Sequence, residues 1–181
     1  EALYLDHNQI THLTPLAQCA KLRTLYLNNN RLTNLEPLAN LKQLKTLSLW
    51  QTQVTNVNAV AGLTRLQRLV LFGNRLTDAR PLANLRELRQ LNLAQNQLMD
   101  IKPLTGLAKL ESLELNQNKI TDLAPLAGLR ELRVLNLQNN QITDLRPLAT
   151  LTKLKELHLT NNKIVDLKPL ANLKELRSLY L

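Results

Sequence analysis

The segment LESLELNQNKITDLAPLAGL (residues 110–129) decides the reading of this chain, because LRVLNLQNNQITDLRPLATL (residues 132–151) restates it 22 positions later. The period runs on in both directions. With Leu22 as position 1, Leu stands at position 4 from Leu3 to Leu179 and at position 6 from Leu5 to Leu181, with no insertion anywhere. Position 9 is Asn8, Asn30, Asn74, Asn96, Asn118, Asn140 and Asn162, with Thr52 the exception. All seven prolines, from Pro15 to Pro169, fall at position 16, where Ala59 is the odd residue. Phase locking of this kind is the signature of a repeat architecture.

Each recurring position has a physical task. The Leu-x-Leu segment alternates apolar and polar residues, as a strand with one buried face must. One unit cannot bury its leucines alone, so the units stack and their strands pair in parallel. Asn at position 9 stands where the chain leaves the strand, and its amide is placed to bond backbone groups of its own turn and of the neighbouring coil. Proline suits the first position of a short helical turn, where its missing N–H is not needed. Position 19 is Asn40, Gly62, Asn84, Gly106, Gly128 or Asn172, residues that tolerate a left-handed turn ending. Connections between parallel strands should be right-handed. The expected fold is therefore an α/β solenoid over residues 1–181, of about eight repeats. It has a concave parallel sheet and short helical or 3-10 turns on the convex side. The first unit begins at position 2 and the last stops in a strand at Leu181. A solenoid ordinarily needs polar end repeats, so both ends are expected to be uncapped and the chain to be a segment of a longer protein.

The units at 110–129 and 132–151 resemble the 22-residue class of leucine-rich repeat, found in bacterial internalins and in regulatory subunits of protein phosphatase. That resemblance spans the whole chain and implies protein recognition on the concave face. The unit 44–65 departs from the pattern at Thr52, Ala59 and Val60, which marks it as a place for a specialised site.

The repeat register gives every side chain a direction. Positions 4 and 6 point inward, so positions 3, 5 and 7 point out of the concave face, with position 8 beside them. All five aromatics lie at outward positions: Tyr4, Tyr26 and Tyr180 at position 5, Trp50 and Phe72 at position 7. Exposed aromatics anchor interfaces, because they bury much area while freezing few rotors. Tyr4, Tyr26, Trp50, Phe72 and Val70 are expected to share one patch over the first four strands. Arg68, Asn92, Glu114 and Asn136 continue the concave surface, and Glu156, His158 and Tyr180 offer a second, smaller contact.

The formal charge of +9 raises the question of a polyanionic partner. The outward strand positions and position 8 hold one cation, Arg68, against Asp6, Glu114 and Glu156. The excess cations lie off that face, among them those at position 10 (Arg31, Arg75, Lys119 and Lys163) and on the flanks at positions 21 and 22. Nucleic acid is read where basic and stacking residues interleave on one surface. Here they are segregated, which argues against nucleic acid and for a solvated flank.

Cys19 occupies a position that is Leu in the other units, so it is expected to serve as a small core substitute, with neither a disulfide nor a thiolate metal site. His7 and His12 stand near Asp6, but a metal there needs both rings turned onto one point. No phosphate-binding glycine loop or acid–base carboxylate pair stands out. No cofactor, metal or catalytic residue is therefore assigned, and no apolar run is long enough to span a bilayer. A single cysteine fits a cytoplasmic protein and a disulfide-free bacterial surface or secreted protein equally, so the compartment stays open. The expected function is protein–protein recognition through the concave face. The rival readings are a structural spacer or homodimerising array in a larger signalling protein, and an anionic polymer or membrane surface bound by the basic flanks.

Overall fold

The computed structural model describes residues 1–181. Nine three-residue strands form one parallel sheet in sequence order. They are β1 (Ala2–Tyr4), β2 (Thr24–Tyr26), β3 (Thr46–Ser48), β4 (Arg68–Val70), β5 (Gln90–Asn92), β6 (Ser112–Glu114), β7 (Val134–Asn136), β8 (Glu156–His158) and β9 (Ser178–Tyr180). Every pairing keeps the register of the sequence repeat, with Leu25 opposite Leu47 and Leu113 opposite Leu135. The units are numbered as coils: coil 1 is residues 1–21, coil 2 is 22–43, coil 3 is 44–65, and so on to coil 8 at 154–175.

The leucines, with a few Val, Ile and Ala side chains, make one continuous core of 49 buried residues threaded through all eight coils. Burying a leucine stabilises by roughly 1.5–3 kcal/mol. Because the same side chain recurs at each level, a coil caps the one before it without new packing geometry. Opposite the sheet, each coil makes a 3-10 turn, and the proline enters at its start in seven of them. Position 13 prepares that turn. The side-chain oxygen of Asn34, Asp78, Asp100, Asp122, Asp144 or Asp166 accepts the N–H two residues on, at 2.8–2.9 Å. This is a local side-chain turn of the Asx kind.

The position 9 asparagines form a buried ladder between coils. Asn118 Nδ2 donates to Leu115 O in its own turn and to Leu93 O of the preceding coil, both at 3.0 Å. Its Oδ1 accepts the Leu98 N–H at 3.0 Å. One carboxamide thus satisfies the Leu98 N–H, which has no other partner, and shares each carbonyl with the asparagine of a neighbouring coil, Asn96 at Leu93 and Asn140 at Leu115.

Two expectations are corrected. Position 19 is not left-handed: the positive φ angles fall instead at position 8, at His7, Asn29, Gln51, Gly73, Gln95, Gln117, Asn139 and Asn161, with one more at Gln53. The chain reverses direction as it leaves the strand, so the left-handed residue is needed there, and the convex turn ends in ordinary right-handed or extended backbone. Cys19 is exposed rather than part of the core. Coil 1 is covered by a neighbour on one side only, and Leu3, Leu5 and Leu16 around it are likewise only partly buried.

Candidate functional site: the concave face

The sheet presents one side chain from every strand at positions 3 and 5, and the following residues bring position 7 alongside. Tyr4 and Tyr26 stack with ring centroids 5.3 Å apart. Trp50 and Phe72 meet edge-on at 5.9 Å, and His7 approaches Trp50 edge-on at 6.5 Å. The four aromatics of coils 1–4 are thus two pairs rather than a single stack. None is buried: Tyr4 is 68% and Trp50 36% exposed, while Tyr26, Phe72 and Val70 are half-buried.

The backbone beneath this face is held by side chains one coil back. Asp6 Oδ1 accepts the Asn28 N–H at 2.8 Å, and Asn28 Oδ1 accepts both the Trp50 N–H at 2.8 Å and the Ser48 hydroxyl at 2.7 Å. Trp50 is therefore carried on a fixed main chain, with its ring left free to be covered. Ser48 and Asn28, although outward by register, are themselves buried and serve as that support.

Further along, Arg68 hydrogen-bonds the Gln90 carboxamide of the next strand. Together with Val70, Asn92 and Glu114 they line a shallow depression of about 240 Å³. The Asn92 and Asn136 side-chain oxygens are engaged with the N–H groups of Ala94 and Gln138, which leaves their amide hydrogens facing outward chemistry. At the far end His158 lies flat on Tyr180, with centroids 4.3 Å apart and planes 9° apart. His158 Nε2 is 2.6 Å from Glu156 Oε1. Of the three residues read as a second contact from the sequence, His158 thus touches both Glu156 and Tyr180.

Beside the aromatic pairs, on the turn edge of coils 1–4, lies a polar opening of about 840 Å³ that the sequence reading did not single out. It contains no apolar side chain and no carboxylate, and Arg31 and Arg75 stand in its wall. Elsewhere, charge is paired across the flank: Lys109 with Glu87 and Lys153 with Glu131, each at 2.7 Å. No three His, Cys, Asp or Glu side chains stand close enough to hold a metal ion. No helix is long and apolar enough to cross a membrane.

A curved parallel sheet of 22-residue coils, outward aromatics and an asparagine ladder define a recognition scaffold of the leucine-rich type. The sequence profile "Leucine Rich repeats (2 copies)" matches residues 1–40, 20–63, 64–106, 86–128, 108–150 and 130–172. The chain belongs to the leucine-rich repeat family, in its internalin-type class. It is 38% identical to internalin C2 of Listeria monocytogenes, with a TM-score of 0.96, 99% of this chain covering 80% of that one. Internalin F of the same organism is 29% identical, with a TM-score of 0.75 over 98% of this chain and 73% of that one. The ectodomain of the Arabidopsis thaliana receptor kinase GASSHO1/SCHENGEN3, solved in complex with Casparian strip integrity factor 2, is 28% identical. Its TM-score is 0.87, and the match covers 100% of this chain and 24% of that one. No curated protein gives a significant sequence match.

Proposed function

We propose that this chain seats a protein partner on its concave face, with the pairs Tyr4–Tyr26 and Trp50–Phe72 as anchors. Leucine-rich repeat proteins act as protein-binding modules, and the plant ectodomain it resembles holds a bound factor. The observation that carries the assignment is Trp50. It is a large ring left 36% exposed on a main chain fixed by Asn28, in edge contact with Phe72. A rigid, half-covered aromatic is what interface anchors require. Glu156, His158 and Tyr180 form the second, smaller contact, and Arg68, Asn92, Glu114 and Asn136 supply hydrogen bonds between the two.

The test compares capture by the intact chain and by Trp50→Ala. A true partner is retained by the first, and its affinity for the second falls by about 2 kcal/mol or more, as for truncated hot spots. Equal affinity for both chains defeats the assignment. Iodide should also quench the single tryptophan of the free chain and lose that effect once partner is bound.

A further inference from the structure

The polar opening beside the aromatic pairs owes its form to coil 3. In six other junctions the ladder closes with two bonds. The position 9 asparagine accepts the N–H of position 11 of the coil before, as Asn74 does from Val54 and Asn96 from Leu76. The position 10 N–H then donates to the carbonyl of that same residue, as Arg75 does to Val54 and Gln97 to Leu76. Between coils 2 and 3 neither bond exists. Thr52 replaces the asparagine and turns its hydroxyl to Leu49 O and to Asn74. Gln53 takes a left-handed φ of 64°, so that coil 3 has two left-handed residues in its turn where the other coils have one. The Leu32 N–H, the Leu32 carbonyl and the Gln53 N–H are left without partners in the protein.

The opening forms at this break. Gln53 lines it, with Arg31 on the coil before and Arg75 on the coil after. Adjacent strands are about 4.8 Å apart, so the two arginines bracket Gln53 at a separation of about 10 Å in backbone. Neither guanidinium is engaged in an ion pair. Asn29, in the same wall, holds a covered Nδ2 with no acceptor. At Gly73, a Cβ would come within 2.9 Å of the Gln51 side chain, so the glycine keeps the far wall open. Unpaired buried donors in a native fold call for an explanation. Free cations and unused N–H groups lined up with no carboxylate describe a place prepared for an anionic acceptor.

We infer that this opening receives an acidic side chain, Asp or Glu, from the protein that covers Trp50 and Phe72. The inference rests on the concave-face reading for its choice of a protein as the source. Gln51 and Gly73 directly follow Trp50 and Phe72 in the chain, so a loop seated on the rings reaches the opening within one residue. A nucleic acid is the poorer fit. Its repeated charge would continue over a concave face that holds Asp6, Glu114 and Glu156 against Arg68 alone.

The experiment is a titration of the full isotope-labelled chain with N-acetyl tetraglutamate amide, followed by amide and arginine Nε resonances. Shifts are expected at Gln53, Arg31 and Arg75, with none from tetraglutamine. The double variant Arg31→Gln, Arg75→Gln should weaken binding about tenfold or more, the scale of one lost charge-assisted contact. Thr52→Asn, which restores the missing ladder residue, should reduce the Gln53 shift. Absence of shifts at these residues overturns the inference. So do equal shifts at the flank residues Lys42, Arg65 and Arg86, or tighter binding of oligothymidylate at the same resonances. Trp50→Ala should leave tetraglutamate binding unchanged. Loss of the peptide signal with Trp50-dependent capture intact therefore removes the acidic contact alone, and the reverse removes the aromatic anchor alone.

Discussion

Coil 3 and coil 6 have the same length, the same strand leucines and the same strand register, yet their turns differ. In coil 6, Asn118 ties three backbone groups together across two coils. In coil 3, Thr52 is fully buried but reaches only its own coil and the next. The contrast separates two roles that the repeat normally fuses. The leucines fix where the coil goes, and the single carboxamide fixes whether its turn is sealed to the neighbour. A repeat can therefore open a polar site without disturbing its core.

The largest effect should come from breaking the regular coil. Asn118→Ala strands the Leu98 N–H in the interior, at a cost of about 1–3 kcal/mol, and takes one of two amide donors from the Leu93 and Leu115 carbonyls, which keep Asn96 and Asn140. Denaturant unfolding should register a loss of about 2 kcal/mol. A loss under 1 kcal/mol would mean that the ladder is ornamental and that coil 3 lacks nothing. The reverse change, Thr52→Asn, should raise stability by about 1 kcal/mol, one net hydrogen bond, and should protect the Leu32 amide from hydrogen exchange. If Leu32 exchanges no more slowly in the variant, the account of the open turn fails.

Smaller still is the effect of acid on the turns of the regular coils. The Arg80 N–H and guanidinium hold the Asp78 carboxyl below its ordinary 3.8, and the Arg146 side chain followed by its N–H does the same for Asp144. The Lys153 ammonium holds Glu131 below 4.5. Folded values below unfolded ones contribute stability above the unfolded values, and that stability is lost as pH falls through the folded ones. Stability should therefore start to drop below about pH 4.5, first through Glu131, then through the two aspartates. Coil 3 carries Asn56 at the equivalent position, so a pH titration of local exchange should leave its 3-10 turn unmoved. These groups are solvent-exposed, and the effect is screened by salt.

The leucine register made the strands, the sheet order and the inward and outward assignment of every strand residue legible without coordinates, because a period of two admits one buried face. The direction of Trp50 follows from the same rule. The left-handed turn was misplaced because the residues at position 8 are mostly Gln and Asn rather than Gly. Composition pointed to position 19, where Gly62, Gly106 and Gly128 prove to have ordinary backbone. Cys19 was misread because equivalence between repeats holds only where a coil is covered on both sides. Arg31 and Arg75 were sorted with the basic flank, although both border the one coil that lacks its asparagine. That coincidence was present in the sequence. Its meaning required knowing that Thr52 leaves Gln53 and Leu32 unbonded.

The unsealed junction also bears on how the molecule comes apart. In a linear stack each level is held only by the levels above and below it, so the weakest junction chooses the place of rupture. Coils 1 and 2, which carry Tyr4 and Tyr26, are joined to the rest across that junction. Heat should open that junction first on its turn side, between Leu32 and Gln53, while the Asn28 bonds to Ser48 and Trp50 hold its sheet side together.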